Sequence, residues 1–430
     1  MKTATKTRKF YLALVIFSLI GQVAWVVENM YLNVFIYKMF NASAEAISGM
    51  VAASAVTATV TTLLVGALSD KLGRRKIFIC LGYILWGISI WAFAMIRMDW
   101  AKVLFPAASA AAVCVTLTIG LDCIMTFFGS AANDACFNAW LTDATDDTNR
   151  GAAEGINAMM PLVAILAVFG GFLGVDQDKA ESWVLIFGVI GTAVMLMGVA
   201  GFFLIEETPL RIEGNRNYFA NIFYGFRPSV VKENSRLYLT LAAVAVFNIS
   251  IQIFMPYLIL YYTVSLGMEN YVLIFAPAII LAAAFTGFYG RVYDRAGFGK
   301  ALAPTLLMLM AGYVVLYFCR GTVMVFLGSL IMMCGYLGTG AVLGAKVRTH
   351  TPANRSGMFQ GLRICAQVLI PGVIGPAVGA AILKNADTIV NGDGTTSFVP
   401  NENIFLGALI AIVFAWLVAM PLLRKEKKHG

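Results

Sequence analysis

The chain has 430 residues, of which 60% are hydrophobic and only 13% charged, and it carries a formal net charge of +8; its mean hydropathy is +0.81. Soluble domains carry charge on about a quarter of their residues, so a water-soluble globular protein is excluded and much of the apolar surface must face lipid. Seven cysteines without a CxxC pair and two histidines, His350 and His429, give no basis for a disulfide framework, a metal site or histidine catalysis.

A helix crosses a hydrocarbon layer of roughly 30 Å with about 20 mostly apolar residues. Spans 1 to 6 are expected over residues 10–37, 46–69, 77–97, 112–142, 153–175 and 183–205, and spans 7 to 12 over 236–263, 270–290, 301–319, 322–345, 356–383 and 403–423. The stretch 102–143 is too long for one crossing and too short for two, so 105–111 is assigned to a re-entrant or interfacial outer piece. The first apolar run is too long for a cleaved signal and contains Glu28, so it is expected to stay as span 1.

Lys and Arg concentrate in alternate connections, from Arg8 and Lys9 through Arg74, Arg75 and Lys76 to Arg424 and Lys425, whereas the opposite side holds only Lys38, Arg97, Lys102, Lys179, Arg320 and Lys384. Cytoplasmic loops retain basic residues, which puts both termini inside a cell (plasma) membrane. The excess positive charge is thereby a matter of topology, and no nucleic-acid partner is inferred from it.

An internal repeat sets the organisation. Gly66-Ala-Leu-Ser-Asp70-Lys-Leu-Gly73-Arg74-Arg75-Lys76 joins spans 2 and 3, and the spacing recurs six spans later in Gly290-Arg-Val-Tyr-Asp294-Arg-Ala-Gly297-Phe-Gly-Lys300. A weaker echo pairs 148–151 with 353–356. Two bundles of six helices follow, 1–205 and 236–430, joined by an inner linker 206–235 whose aromatic run 218–226, flanked by Arg216 and Arg227, reads as an interfacial helix.

Residues 66 to 76 closely resemble the signature loop of the major facilitator superfamily, with a Gly, an Asp four residues on, a Gly three later and then a basic cluster. That resemblance implies an all-α membrane protein, with twelve transmembrane helices in two pseudo-symmetric six-helix bundles that alternate access to a central cavity. It also implies a conformational-switch role for Gly66, Asp70, Gly73, Arg74, Gly290, Asp294 and Gly297, with the loop latching span 2 against span 11 in one state. On physical grounds the glycines are expected to allow close helix approach and a tight turn, Asp70 to cap or pair nearby, and Arg74, Arg75 and Lys76 to sit at the anionic lipid surface.

No GxxxxGK[ST] phosphate loop is present, and the linker is too short to fold as a nucleotide-binding domain. An ion-coupled carrier then needs ionisable groups within its spans, where charge is costly enough to be informative. Three carboxylates qualify, Glu28, Asp122 and Asp134, and they are the candidate proton-coupling groups; Asp134, nearer the inner end, also suits helix-to-helix bonding. Arg363 is the one basic residue within a span, framed by Gln360 and Gln367. Arg150 and Glu154, one turn apart at the start of span 5, read as an inner gate pair.

Span 1 places Gln22, Trp25 and Asn29 around Glu28, and span 7 holds Asn248, Gln252 and Tyr257, the last beside Pro256 and near mid-span. Aromatic faces with amides suit neutral polyhydroxylated solutes, because rings cover the apolar sugar face while amides satisfy hydroxyls. These residues, with Gln360, Arg363 and Gln367, form the candidate substrate set. The leading expectation is a secondary transporter, not an enzyme, performing proton-coupled uptake of a sugar or similar solute, without a cofactor and as a monomer in the bilayer.

Na⁺ is the alternative ion. Span 2 offers only Ser and Thr, from Ser48 and Ser54 to Thr62, so the acidic span-2 site of the glycoside-pentoside-hexuronide symporters is absent and protons are favoured. A proton-driven multidrug exporter is the competing reading; its Gly-Pro signature is missing from span 5 but resembles Gly372-Val-Ile-Gly375-Pro376-Ala-Val-Gly379 in span 11. A transport-dead sensor or a passive facilitator is the alternative of another class.

Overall fold

Apolar runs of this length leave the backbone one way to satisfy its own polar groups inside lipid, which is to form helices. The computed structural model describes residues 2–145, 149–207, 226–351, 359–391 and 394–426, with the side chains of residues 2–7, 150, 151, 360 and 424–426 excepted. Among the described residues, the long apolar helices are Arg8–Phe40, Ala44–Leu72, Lys76–Met95, Ala110–Asp143, Ala152–Gly171 and Ala180–Leu204 for spans 1 to 6. Ser235–Ser265 is span 7, and Thr322–His350, Gly361–Leu383 and Asn403–Leu423 are spans 10 to 12. Spans 8 and 9 run together as Tyr271–Phe318, broken at Gly297 by φ 77° and ψ 171°.

The outer piece before span 4 differs from expectation. It is a short helix, Met98–Leu104, not residues 105–111, and span 4 begins at Ala110 where the Ser109 hydroxyl caps the Ala112 amide. Trp100, Val103 and Leu104 are exposed there, while Asp99 and Lys102 interrupt the apolar run and hide the turn from hydropathy alone. A hairpin of Thr388–Val390 and Thr396–Phe398, unforeseen in the sequence, connects spans 11 and 12.

The outward surface of span 2 shows why lipid is required. Val56, Val60, Leu64, Leu68 and Leu72 recur every fourth residue and are all 44–51% exposed. A continuous apolar ridge of this kind would be an association liability in water; against acyl chains it costs nothing.

The chain forms two compact units, 1–42 with 53–219, and 43–52 with 220–430. The first turns of span 2 thus belong to the second unit. Inside the first unit, spans 3 and 6 touch through glycines: a Cβ on Gly87 would lie 2.5 Å from the Gly191 carbonyl oxygen, and one on Gly198 would lie 2.6 Å from that of Cys80. Inside the second, a Cβ on Gly375 would meet Gln252 at 2.4 Å and one on Gly379 would meet the Ile253 carbonyl at 2.3 Å. The glycine run of span 11 that resembles an exporter signature is therefore a packing face against span 7. Residues 218–225 of the expected interfacial helix lie outside the described residues; after them comes the short helix Pro228–Glu233.

Candidate functional site

In the first unit, span 1 carries a π-helical turn, Val27–Tyr31, and Glu28 sits on it. The wider turn re-aims the side chains that follow, and such turns recur at functional sites. Glu28 is 9% exposed and Asp122 of span 4 is 1% exposed. Ser54 of span 2 stands between them: its hydroxyl contacts Asp122 Oδ2 and lies 3.2 Å from the Thr126 hydroxyl, and Thr126 Oγ1 donates to Glu28 Oε1 at 3.0 Å. Three spans thereby converge on one hydroxyl-bridged carboxyl pair. The other carboxyl oxygens, Glu28 Oε2 and Asp122 Oδ1, are buried with no hydrogen-bond partner among the described residues.

Ser54 was legible only as one of several Ser and Thr residues on span 2, and Thr126 is one more threonine on span 4. Neither signals a bridge, since their partners lie 68 and 98 residues away. Asp134 lies on a second π-helical stretch, Ser130–Phe137, and accepts a bond from Ser130 at 3.1 Å. The bond that the structure gives its carboxylate is thus within span 4.

Gln22 and Trp25 are half-buried and Asn29 is exposed, so one stripe of span 1 stays accessible beside the buried pair. Asn29 donates to the Trp25 carbonyl at 2.8 Å. The Trp25 ring packs on Trp86 with centroids 4.9 Å apart, and both indoles lie against Gly129, where a Cβ would come within 3.0 Å of each. Behind them Tyr83 accepts from Asn133 at 2.7 Å and donates to the Phe17 carbonyl at 2.9 Å, a rigid wall that the sequence did not announce.

In the second unit, Asn248, Gln252 and Arg363 are half-buried and Gln367 is exposed on a π-helical turn, Cys365–Leu369. The Gln360 side chain lies outside the described residues. Tyr257 departs from expectation. It is fully buried, and its hydroxyl is shared between the carbonyls of Ala44 at 3.0 Å and Pro376 at 3.2 Å, while its ring meets Phe398 of the hairpin. In this structure it binds protein backbone and presents no surface to a solute.

The signature loop is resolved into specific contacts. Arg75 is 5% exposed, not at the lipid surface as expected. Its guanidinium pairs with Asp70, reaches Asp143 Oδ2 at 3.2 Å and contacts the Ser69 hydroxyl, while Glu207 receives the backbone amides of Arg75 and Lys76. The Arg75 side chain thus ties the start of span 3 to the ends of spans 2 and 4, while its backbone amide and that of Lys76 hold the residue that follows span 6. Arg74 is exposed. Gly73 and Gly297 adopt φ of 64° and 77°, as a turn needing glycine would. Among the described residues, a Cβ on Gly66 would meet Ala135 at 3.8 Å and one on Gly290 would meet nothing within 4 Å. Asp294 is exposed. Arg150 of the expected gate pair lies outside the described side chains, and Glu154 is exposed.

Long apolar helices in two units and a repeated signature loop define a multi-pass membrane transporter. A family model described as Major Facilitator Superfamily matches residues 11–376. The chain belongs to that superfamily, and its architecture is the twelve-helix fold of two six-helix halves. No curated protein matches it in sequence. Among solved structures it is similar to a D-xylose-proton symporter, at TM-score 0.72 and 15% identity over 95% of this chain and 97% of that one. It is similar also to the nucleoside transporter NupG, at TM-score 0.66 and 12% identity over 96% and 98%. A bacterial homologue of the human lysosomal transporter Spinster gives TM-score 0.69 and 16% identity over 97% of each chain. At these identities the likeness speaks for the fold.

Proposed function

We propose that the protein is a proton-coupled uptake carrier for a sugar or a similar neutral polar solute, operating in the cell membrane with both termini cytoplasmic. The observation that carries this reading is the Glu28–Asp122 pair, buried among spans 1, 2 and 4 and in no ion pair among the described residues. A carboxylate at mid-membrane costs at least about 3 kcal/mol, which a carrier recovers when the group serves as the place where its driving ion loads. Hydroxyl and carboxyl oxygens with no basic partner suit a proton, with Na⁺ as the alternative.

The solute class rests on the accessible stripe of Gln22, Trp25 and Asn29 in the first unit, and on Asn248, Gln252, Gln360, Arg363 and Gln367 in the second. Amide donors beside an indole in the first unit, and amide and guanidinium donors in the second, fit hydroxylated solutes better than lipophilic cations. Xylose and nucleosides, named for two of the similar structures, share that chemistry. The glycine run of span 11, which once favoured export, is accounted for by its packing on span 7.

The test is flux into sealed proteoliposomes, with and without an inward proton gradient, for D-xylose, uridine and a lipophilic cation. Gradient-driven accumulation of a neutral solute by the wild type, lost in Glu28→Gln and Asp122→Asn while exchange persists, supports the reading. Equal flux with and without the gradient in wild type and Glu28→Gln would sink the coupling, and flux of the lipophilic cation alone would reverse the solute class.

A further inference from the structure

The carboxyl pair poses a problem of proton counting. Between Asp122 and Glu28 there are three contacts: Asp122 to Ser54, Ser54 to Thr126, and Thr126 to Glu28. A serine and a threonine hydroxyl have one proton each. With both carboxyls ionised, those two protons go to Asp122 Oδ2 and Glu28 Oε1, and the 3.2 Å approach of Ser54 Oγ to Thr126 Oγ1 is left with no hydrogen between two oxygens. All four residues are buried, so water offers no easy remedy.

One added proton satisfies every contact. We propose that Glu28 and Asp122 share a single proton through Ser54 and Thr126, and that these two hydroxyls relay it from one carboxyl to the other. In one state Asp122 is protonated and donates to Ser54, Ser54 to Thr126, and Thr126 to ionised Glu28. Transfer breaks the O–H bonds of Asp122, Ser54 and Thr126 and forms new ones on Ser54, Thr126 and Glu28. The net change is protonated Asp122 and ionised Glu28 becoming ionised Asp122 and protonated Glu28, with both hydroxyls restored. Ser54 touches both Asp122 and Thr126, which makes it a member that the path cannot bypass. Asp134 and the Cys123 thiol are the other titratable groups that sense the pair, and among the described residues no basic group does.

The relay deepens the proton-coupling reading and rests on it for its purpose, yet it can be tested without a solute. Infrared difference spectra of the full chain in lipid, in H₂O and D₂O, read the C=O stretch of protonated carboxyls, assigned with Glu28→Gln and Asp122→Asn. In the wild type both substitutions are expected to alter one and the same band. On a Ser54→Ala background the band should respond to only one of them, and on Ser54→Thr, which keeps the hydroxyl, to both. A wild-type band that responds to only one substitution overturns the proposal, as does Ser54→Ala behaving like the wild type, or Ser54→Thr failing in the same way as Ser54→Ala. A shared band without gradient-driven flux keeps the relay and defeats the coupling; gradient-driven flux with the proton confined to one carboxyl does the reverse.

Discussion

Replacing Arg75 by Met keeps most of the side-chain length while removing a guanidinium that holds two carboxylates and a hydroxyl. The side chain of Arg75 is 6% exposed, that of Asp70 33% and that of Asp143 22%. Breaking a fully buried ion pair costs about 3–5 kcal/mol, chiefly because the abandoned charge stays buried. Both acids here regain some water, so the lower end, about 3 kcal/mol, is expected for Arg75→Met. Arg75→Lys keeps the charge but has no fork to span two partners, and should lose about half as much. For a unit of this size, about 3 kcal/mol lowers the midpoint by roughly 6–12 °C. The assay is thermal unfolding of the purified protein in lipid nanodiscs, with Glu207→Gln as an independent control. Glu207 receives backbone amides of Arg75 and Lys76, which the Met side chain leaves in place, so the double variant should be less stable than either single one. Arg75→Met unfolding within about 2 °C of the wild type would refute the assignment of the Arg75 side chain as the tie between spans 2, 3 and 4.

Tyr257→Phe removes the hydroxyl shared by the Ala44 and Pro376 carbonyls and should lower stability by about 1–2 kcal/mol; unchanged unfolding together with reduced solute binding would return Tyr257 to the solute site. Gly379→Ala places a methyl 2.3 Å from the Ile253 carbonyl oxygen and should cost about 1–3 kcal/mol, read in the same thermal assay. Gly290→Ala, with open space at its Cβ on an exposed helical position, should be neutral or slightly stabilising. Equal destabilisation at both glycines would contradict the packing argument.

The spans were legible because a bilayer imposes one length and one polarity on whatever crosses it. Where a second rule intervened, the reading slipped. Met98–Leu104 is short and carries Asp99 and Lys102, so its exposed Trp100, Val103 and Leu104 did not form a run that a hydropathy window could separate from span 4. Glu28 and Asp122 stood out for the opposite reason, as carboxyls within apolar sequence. Their partners did not, because Ser and Thr are unremarkable on a membrane helix and Ser54 is 68 residues from the acid it contacts. Arg75 looked like any of three adjacent basic residues until the fold buried it and left Arg74 outside.

The π-helical turns carry this reasoning one step further. Those described in the two units are Val27–Tyr31, Ser130–Phe137, Tyr261–Ser265 and Cys365–Leu369. They fall on Glu28 and Asn29, on Asp134, on Tyr261 and Tyr262, and on Gln367, three of the four sites having been singled out from side-chain chemistry alone. An i→i+5 turn has no sequence signature as plain as a proline, and it survives only where packing or side-chain bonding compensates for poorer backbone geometry. In the first unit the widened turns carry carboxyls; in the second, Tyr262 meets the Ser329 hydroxyl at 2.6 Å and is enclosed. The same backbone device thus holds carboxyls in one half, and enclosed phenols and an exposed amide in the other, so a shared architecture has been given unequal chemistry.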